Sequence, residues 1–402
     1  MLFFRPPRIP LPEKRMGRIY DEDVCCCALN RIFGFKPKVA NAMIGHIGSA
    51  SGIFRLRPHE LDSITGAFSP YRALITEKTL EESARELDSL YSRGYHFLHI
   101  TSEDYPALLK ECDDPPVGLY VRSASSPAGI FSGRPSVSVV GTRDISSYGR
   151  EWCTRIVSAL CRASPAPSVI SGLAIGTDVT AHSTALACGA GTIAVMATGI
   201  DAVYPARHRK IADEIASTPG CALITDYPPG TSPLRINFLR RNRIIAGLSM
   251  ATVLIESKAK GGGMLTARLA FSYERDVYAL PGRADDRMSQ GCNILIKEKV
   301  AEPVVSAESL AESIGLRPSG ISTCTDPLSA IRKAADGHYS MDIIDILSRI
   351  VLMVKNRRGI TVDEIASESG ITYKKALEYT AMLESDSIIY TDLMQRCYIR
   401  LK

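Results

Sequence analysis

Between residues 136 and 305 the chain alternates short apolar runs with longer segments of helical period. The runs are SVSVVG, SVISG, TIAVMATG, CALITDY, ATVLIES and DVYALPG. Their apolar residues are continuous rather than alternating, which fits strands buried on both faces. Between them lie residues 147–163, 178–188, 206–217, 235–248 and 264–274, where apolar positions recur at helical spacing. Regular strand–helix alternation predicts an α/β domain over 136–305, an extended Rossmann-like, doubly wound, mostly parallel sheet.

The flanks read differently. Residues 1–100 predict a small helical domain, with periodic apolar positions in VCCCALNRIFGF, VANAMIGHI and SARELDSLY broken by Gly and Pro. Residues 101–135 read as a connector, rich in proline, in which Asp114-Pro115-Pro116 turns into a short edge strand. Residues 306–336 read as a helix followed by a Ser-rich linker. From 337 to 402 the order is helix, short helix, turn, helix and a two-stranded wing, the pattern of a winged helix. If that unit binds DNA, the start of its third helix, near Thr372, Lys374 and Lys375, faces the bases. Glu378 and Glu384 on the same helix tilt the reading towards docking of protein.

Composition narrows the class. Hydrophobic residues are 45% and charged residues 23%, which is ordinary for a globular protein with real cores. No window approaches the roughly 20 apolar residues of a membrane span, and the N-terminal stretch lacks the h-region of a signal peptide. The 11 cysteines contain three in a row and no C-x-x-C pair. They predict buried small hydrophobes in a reducing cytoplasm, not a metal site or a disulfide framework. The net charge of +5 permits nucleic-acid binding without requiring it.

Where the charge sits says more. Three glycine turns follow apolar runs: VVGTRDISSYG, SGLAIGTDVTAH and KAKGGGMLTARLA. Loops at the carboxyl ends of parallel strands line one crevice, and glycines let backbone amides approach a phosphate. None of the turns has the glycine spacing of a P-loop or of G-x-G-x-x-G. Beside them SPLRINFLRRNRIIAGLS carries Arg235, Arg240, Arg241 and Arg243 with no acid, and Phe238 among them. Arginines suit bidentate phosphate contact, and an aromatic ring suits stacking on any base. The combination points to a groove for the backbone of a nucleic acid. Asp178 and His182, four apart on one helix face, are the available acid–base pair. With no matching nucleophile they read as a first-turn acid and a packing histidine.

In order, VVGTR, SGLAIGTDVTAH, TGIDAVYPARH, DYPPGTSPLRINFLRRNRIIAGLS, GGGMLTARLA, VYALPG and GCNILI resemble the DNA processing protein A family (DprA, also called Smf). The helical N-terminal part (SAM/HhH-like) and the C-terminal winged helix resemble that family's accessory domains. The resemblance implies a cytoplasmic protein that binds single-stranded DNA, protects incoming strands and helps load the RecA recombinase in natural transformation. It implies a homodimer formed through the Rossmann domain, no cofactor and no catalytic turnover. Carried over, the DNA groove would use Gly141 and Arg143 of the first loop, Ser171, Gly172 and Leu173 of the second, and Gly262 with Thr266 of the third. Phe238, Arg241, Asn242 and Arg243 would come from the arginine segment, with Arg235 and Arg240 beside them. The chain departs from the family at Ile175, where the second loop usually has an arginine, and Arg240 is placed to compensate. The competing reading is a phosphoribohydrolase of the lysine-decarboxylase-like type. Its P-G-G-x-G-T-x-x-E loop is not matched, because no glutamate follows Gly261-Gly262-Gly263 at that spacing.

Overall fold

Asp21 caps the first helix, its carboxylate accepting the Val24 N–H at 3.0 Å, and Glu22–Phe33 follows with Val24 to Asn30 all buried. This is a computed structural model describing residues 20–66, 68–318, 341–357, 359–385, 388–391 and 395–399. Pro37 opens the second helix, Pro37–Ile47, and Gly48 closes it in the left-handed conformation. Helices Ala50–Phe54, Pro58–Thr65 and Glu77–Tyr91 complete the N-terminal group. The chain divides into two units after Pro318.

The first unit holds a nine-stranded sheet. Its strands are β1 (His96–His99), β2 (Gly118–Arg122), β3 (Ser136–Val140), β5 (Ser168–Ser171), β6 (Thr192–Val195), β7 (Ala222–Thr225), β8 (Ala251–Leu254), β9 (Asp276–Ala279) and β10 (Glu302–Pro303). The order is β1-β2-β7-β6-β5-β3-β8-β9-β10. The seven strands from β7 to β10 run parallel; β2 pairs antiparallel with β7, and β1 with β2. All six apolar runs are strands, as the pattern predicts. The short β4 (Ala163–Ser164) pairs outside this sheet with β11 (Arg317–Pro318).

Two expectations are corrected. The helical reading stops at Tyr91, because His96–His99 is β1 of the sheet. Residues 101–135 are more than a connector, since β2 lies between β1 and β7 and is buried at Gly118–Val121. The N-terminal helices share one apolar core with this end of the sheet, joining Leu29, Phe33 and Leu87 to Leu119, Tyr120 and Ile224. Asn30 ties the two, donating to the Asp226 carbonyl at 2.9 Å and accepting from Gly118 N–H at 3.3 Å. A second core on the other face packs Ile156, Val157 and Leu160 with Ala181, Ala185 and Val253. It takes in Leu310 of the Ala307–Ser313 helix and Ile314 at its end, so the first part of 306–336 belongs to the domain. Each such Val, Leu or Ile contributes about 1.5–3 kcal/mol by leaving water. The remainder of the linker reading lies outside the described residues.

The second unit has helices Met341–Asn356, Val362–Ser369 and Tyr373–Ser385, with a small sheet of β12 (Ile360–Thr361), β13 (Ile389–Thr391) and β14 (Arg396–Ile399) in the order β12-β14-β13. Along the chain the order is helix, β12, helix, helix, β13, β14. Thr372, Lys374 and Lys375 are exposed.

Candidate nucleic-acid interface

The sheet order fixes where a ligand fits. From β3 the chain moves outward through β5 and β6 to β7, then returns to β8 on the opposite side of β3. Loops leaving β3 and β8 therefore diverge and open a crevice at the carboxyl ends of the strands. Buried Glu256, just after β8, closes its base: Ser146 donates to it through N–H (2.9 Å) and Oγ (2.5 Å). The same Ser146 Oγ accepts from Gly149 N–H at 3.0 Å and so caps the Ser147–Cys161 helix. Gly176 joins the second loop to the first. It has φ +83°, and a Cβ there would stand 2.5 Å from the Thr142 carbonyl oxygen. Thr177 N–H donates to that same oxygen at 3.1 Å.

A cation and two rings project from this frame. Arg143 is exposed, and its guanidinium lies 5.1 Å from the Phe238 ring centroid. Tyr204 meets Phe238 edge-on at 5.5 Å and is itself 48% exposed. Gly262 is exposed, and a Cβ there would meet nothing within 4 Å. Lys258 and Lys260, on the loop after β8, are exposed too, as is one acid, Asp144. Arg235 is exposed, and half-buried Arg240 turns towards the N-terminal helices, 3.9 Å from the ring centroid of Phe35.

The rest of the expected set lies inside. Ser171, Gly172, Leu173, Asn242 and Thr266 are buried. Ser171 Oγ donates to the Val139 carbonyl at 2.7 Å. Leu173 sits at φ +58° with its side chain buried, and its carbonyl accepts from His208 Nδ1 at 2.8 Å. Arg241 donates to the carbonyls of Gly172 (2.6 Å) and Val195, pinning the ends of β5 and β6 together. Gly172 is a glycine because a Cβ there would occupy the Arg241 guanidinium. Arg243 is paired with Asp226 and donates to the Asp114 carbonyl. The arginine segment is thus not an unbalanced cluster. Asp226 answers Arg243, and Asp178 supplies the charge for Arg241, two acids remote in sequence that the fold brings back.

Burial is the first cause of three titration shifts here. It lowers the Arg241 guanidinium to about 10, opposed by Asp178, so it stays charged at neutral pH. It raises the Asp178 carboxyl, with Arg241 offsetting part of the cost. It lowers His182 to about 3. His182 is wholly buried, with Nδ1 2.7 Å from Thr192 Oγ1. Thr192 spends its own proton on the Val169 carbonyl at 2.8 Å, so it accepts from His182, which is the neutral Nδ1–H tautomer. Asp178 and His182 are both buried, with Asp178 accepting from Ala174 N–H at 3.3 Å and His182 bound to Thr192. Among the described residues no group of three metal-ligating side chains comes together, and no helix is long and apolar enough to cross a membrane.

Comparison with known proteins decides the family. The family model for DNA recombination-mediator protein A matches residues 96–315. The chain belongs to the DNA recombination-mediator protein A family. Protein Smf of Synechocystis is 32% identical over 292 residues, 72% of each chain. Protein Smf of Escherichia coli is 30% identical over 332 residues, 80% of this chain and 83% of that one. The X-ray structure of DNA processing protein A from Streptococcus pneumoniae superposes with a TM-score of 0.59 at 29% identity, covering 72% of this chain and 95% of that one. The matched segment of this mediator family begins at β1, which agrees with β1 and β2 being parts of the sheet. Ile175, where the resemblance implies an arginine, is 37% exposed beside Gly176 of the second loop. Sequence reasoning about this family member missed Tyr204 and Phe35. Tyr204 lies in the TGIDAVYPARH motif, but only the fold shows its ring against Phe238.

Proposed function

We propose that this protein binds single-stranded DNA along the crevice between the β3 and β8 loops and catalyses no reaction on it. The observation that carries the reading is the exposed Arg143 stacked on Phe238, with Tyr204 edge-on, at the topological switch point. A base stacks on an aromatic face whatever its identity, while the adjacent cation meets the phosphate. Both phosphate contact and stacking are indifferent to sequence, so binding is unspecific and falls with salt. No observation favours the hydrolase, and the one acid–base pair in the crevice wall is buried in structural work.

The family extends the proposal to biology. The protein protects incoming strands and loads RecA during natural transformation, as a cytoplasmic homodimer built on the Rossmann domain. Exposed Phe271 and Val305, near the β9–β10 end of the sheet, support a protein contact made by this domain. Fluorescence anisotropy with a labelled oligothymidine tests the core of the reading. Wild type binds, and Arg143→Ala binds at least tenfold more weakly with an unchanged melting temperature. Equal affinities would remove the crevice as the site, and release of free base from a nucleoside monophosphate would replace binding by catalysis. Light scattering checks the dimer, and RecA filament formation on a coated strand checks the loading.

A further inference from the structure

The Rossmann crevice does not account for Phe35. This ring is 60% exposed on the turn between the first two helices, where a large apolar side chain gains nothing from folding. Its neighbours show that the turn had an alternative. Phe33, two residues earlier, is buried and stacks on Tyr71 at 4.8 Å, and Lys36 caps the same tyrosine at 5.4 Å. Phe35 alone points outward, and there it meets Arg240, whose guanidinium lies 3.9 Å from its centroid. Arg240 stands two residues from Phe238 on the Arg235–Gly247 helix. At about 100° per residue, Phe238 and Arg240 lie nearly on opposite sides of the helix, and Arg235, Leu239 and Ile236 cover the side between them. All three are exposed. A continuous surface therefore runs from Tyr204 and Phe238, over the start of this helix, to Arg240 and Phe35.

The chemistry of that surface is one-sided. The stretches 34–39 and 234–240 contain Lys36, Lys38, Arg235 and Arg240 and no acid. Lys38 has an exposed pairing with Asp113 at 3.2 Å, which is worth little in water. Exposed rings interleaved with arginines at both ends of one strip suit a chain that alternates flat bases with phosphates. A protein partner would meet an unbalanced positive strip at the rim of any apolar contact.

Resting on the single-strand reading above, we infer that the N-terminal helices carry a second base-stacking station. Phe35 takes a base, Arg240 bridges it to the Rossmann crevice, and one strand crosses the Arg235–Gly247 helix between the two aromatic stations. The N-terminal group thereby lengthens the site instead of merely capping the domain.

Two oligothymidines separate this inference from the reading on which it rests: one of about five nucleotides, filling one station, and one of about twenty, spanning both. Phe35→Ala should weaken the long strand about tenfold and leave the short strand within twofold. Phe238→Ala should weaken both. Arg240→Ala should behave as Phe35→Ala does, and iododeoxyuridine in the long strand should crosslink to the peptide that holds Phe35. If Phe35→Ala leaves long-strand binding unchanged while Phe238→Ala weakens it, the second station is refuted and the crevice stands. If Phe35→Ala weakens both lengths alike, Phe35 is not a separate station and the inference fails. If Phe238→Ala weakens neither, the underlying reading falls and takes this one with it. Phe35 is exposed, so its removal should leave the melting temperature unchanged, which shows that the loss is not one of folding.

Discussion

Arg241→Met separates two roles that the sequence gives to neighbouring arginines. The guanidinium of Arg241 is buried between the ends of β5 and β6, donates to the carbonyls of Gly172 and Val195, and balances Asp178. Methionine fills much of the space but returns neither the hydrogen bonds nor the charge. Loss of the guanidinium leaves two buried carbonyls without their donor and the buried Asp178 without its nearby positive charge, at a cost of about 3–5 kcal/mol. For the unit Met1–Pro318, at about 2.1 cal/mol/K of unfolding entropy per residue, each kcal/mol moves Tm by about 1.5 °C, so the expected fall is roughly 5–8 °C. Differential scanning fluorimetry at pH 7 reads it, with Arg143→Ala beside it as the exposed control whose Tm stays put. Acidification provides an internal check. Burial already raises the Asp178 carboxyl, and without Arg241 it rises further. A group whose folded pKa is raised contributes stability at low pH and loses it as pH climbs through that value. The deficit of Arg241→Met should therefore narrow as pH falls below 7 and the raised carboxyl takes up its proton. A variant that melts with wild type yet has lost DNA binding would refute the argument, because it would put the guanidinium on the strand and not in the wall.

The salt dependence of binding should divide exposed Arg143 from half-buried Phe238: Arg143→Ala lowers the slope of log K against log salt by about 0.7, and Phe238→Ala leaves the slope alone while costing about 1–3 kcal/mol. Burial holds His182 at about 3, so the unfolded chain takes up its proton first as pH drops below about 6.5. Stability in that window should fall by up to about 1.4 kcal/mol per pH unit from this group, and urea titrations of His182→Gln should show a shallower slope. Gly172→Ala puts a methyl into the pinned guanidinium and should lower Tm, whereas Gly262→Ala meets nothing within 4 Å and should melt as wild type does. If the phosphates pass over Gly262, the same Gly262→Ala variant loses affinity for the oligonucleotide.

The central domain is legible because each strand is a short apolar run and each helix keeps its period. Strand–helix alternation even orders the loops, so the crevice with exposed Arg143 and Gly262 and half-buried Phe238 follows from pattern and resemblance. What stays hidden is whatever depends on distant pairing. Local acidity fails as a guide to charge balance: Arg243 finds Asp226 and Arg241 finds Asp178 only after β5, β6 and β7 are laid side by side. Residues 96–122 defeat periodicity for a related reason. β1 and β2 are four and five residues long and antiparallel, and only β7, a hundred residues later, makes β2 an inner strand. Gly34-Phe35 reads as a tight turn between short helices, and exposure of the ring is a property that period does not encode.

The Asn30 bonds also bear on how the chain is made. Asn30 leaves the ribosome early, yet the carbonyl it clasps belongs to Asp226, 196 residues further on. At about 5–20 residues per second, that interval is roughly 10–40 s of synthesis. For that time the apolar side of the first helices has no sheet to cover it, and the nascent segment is exposed to chaperones and proteases. Maturation of this end of the protein is therefore gated by the arrival of β7, and a pause in translation before residue 222 would prolong the vulnerable state.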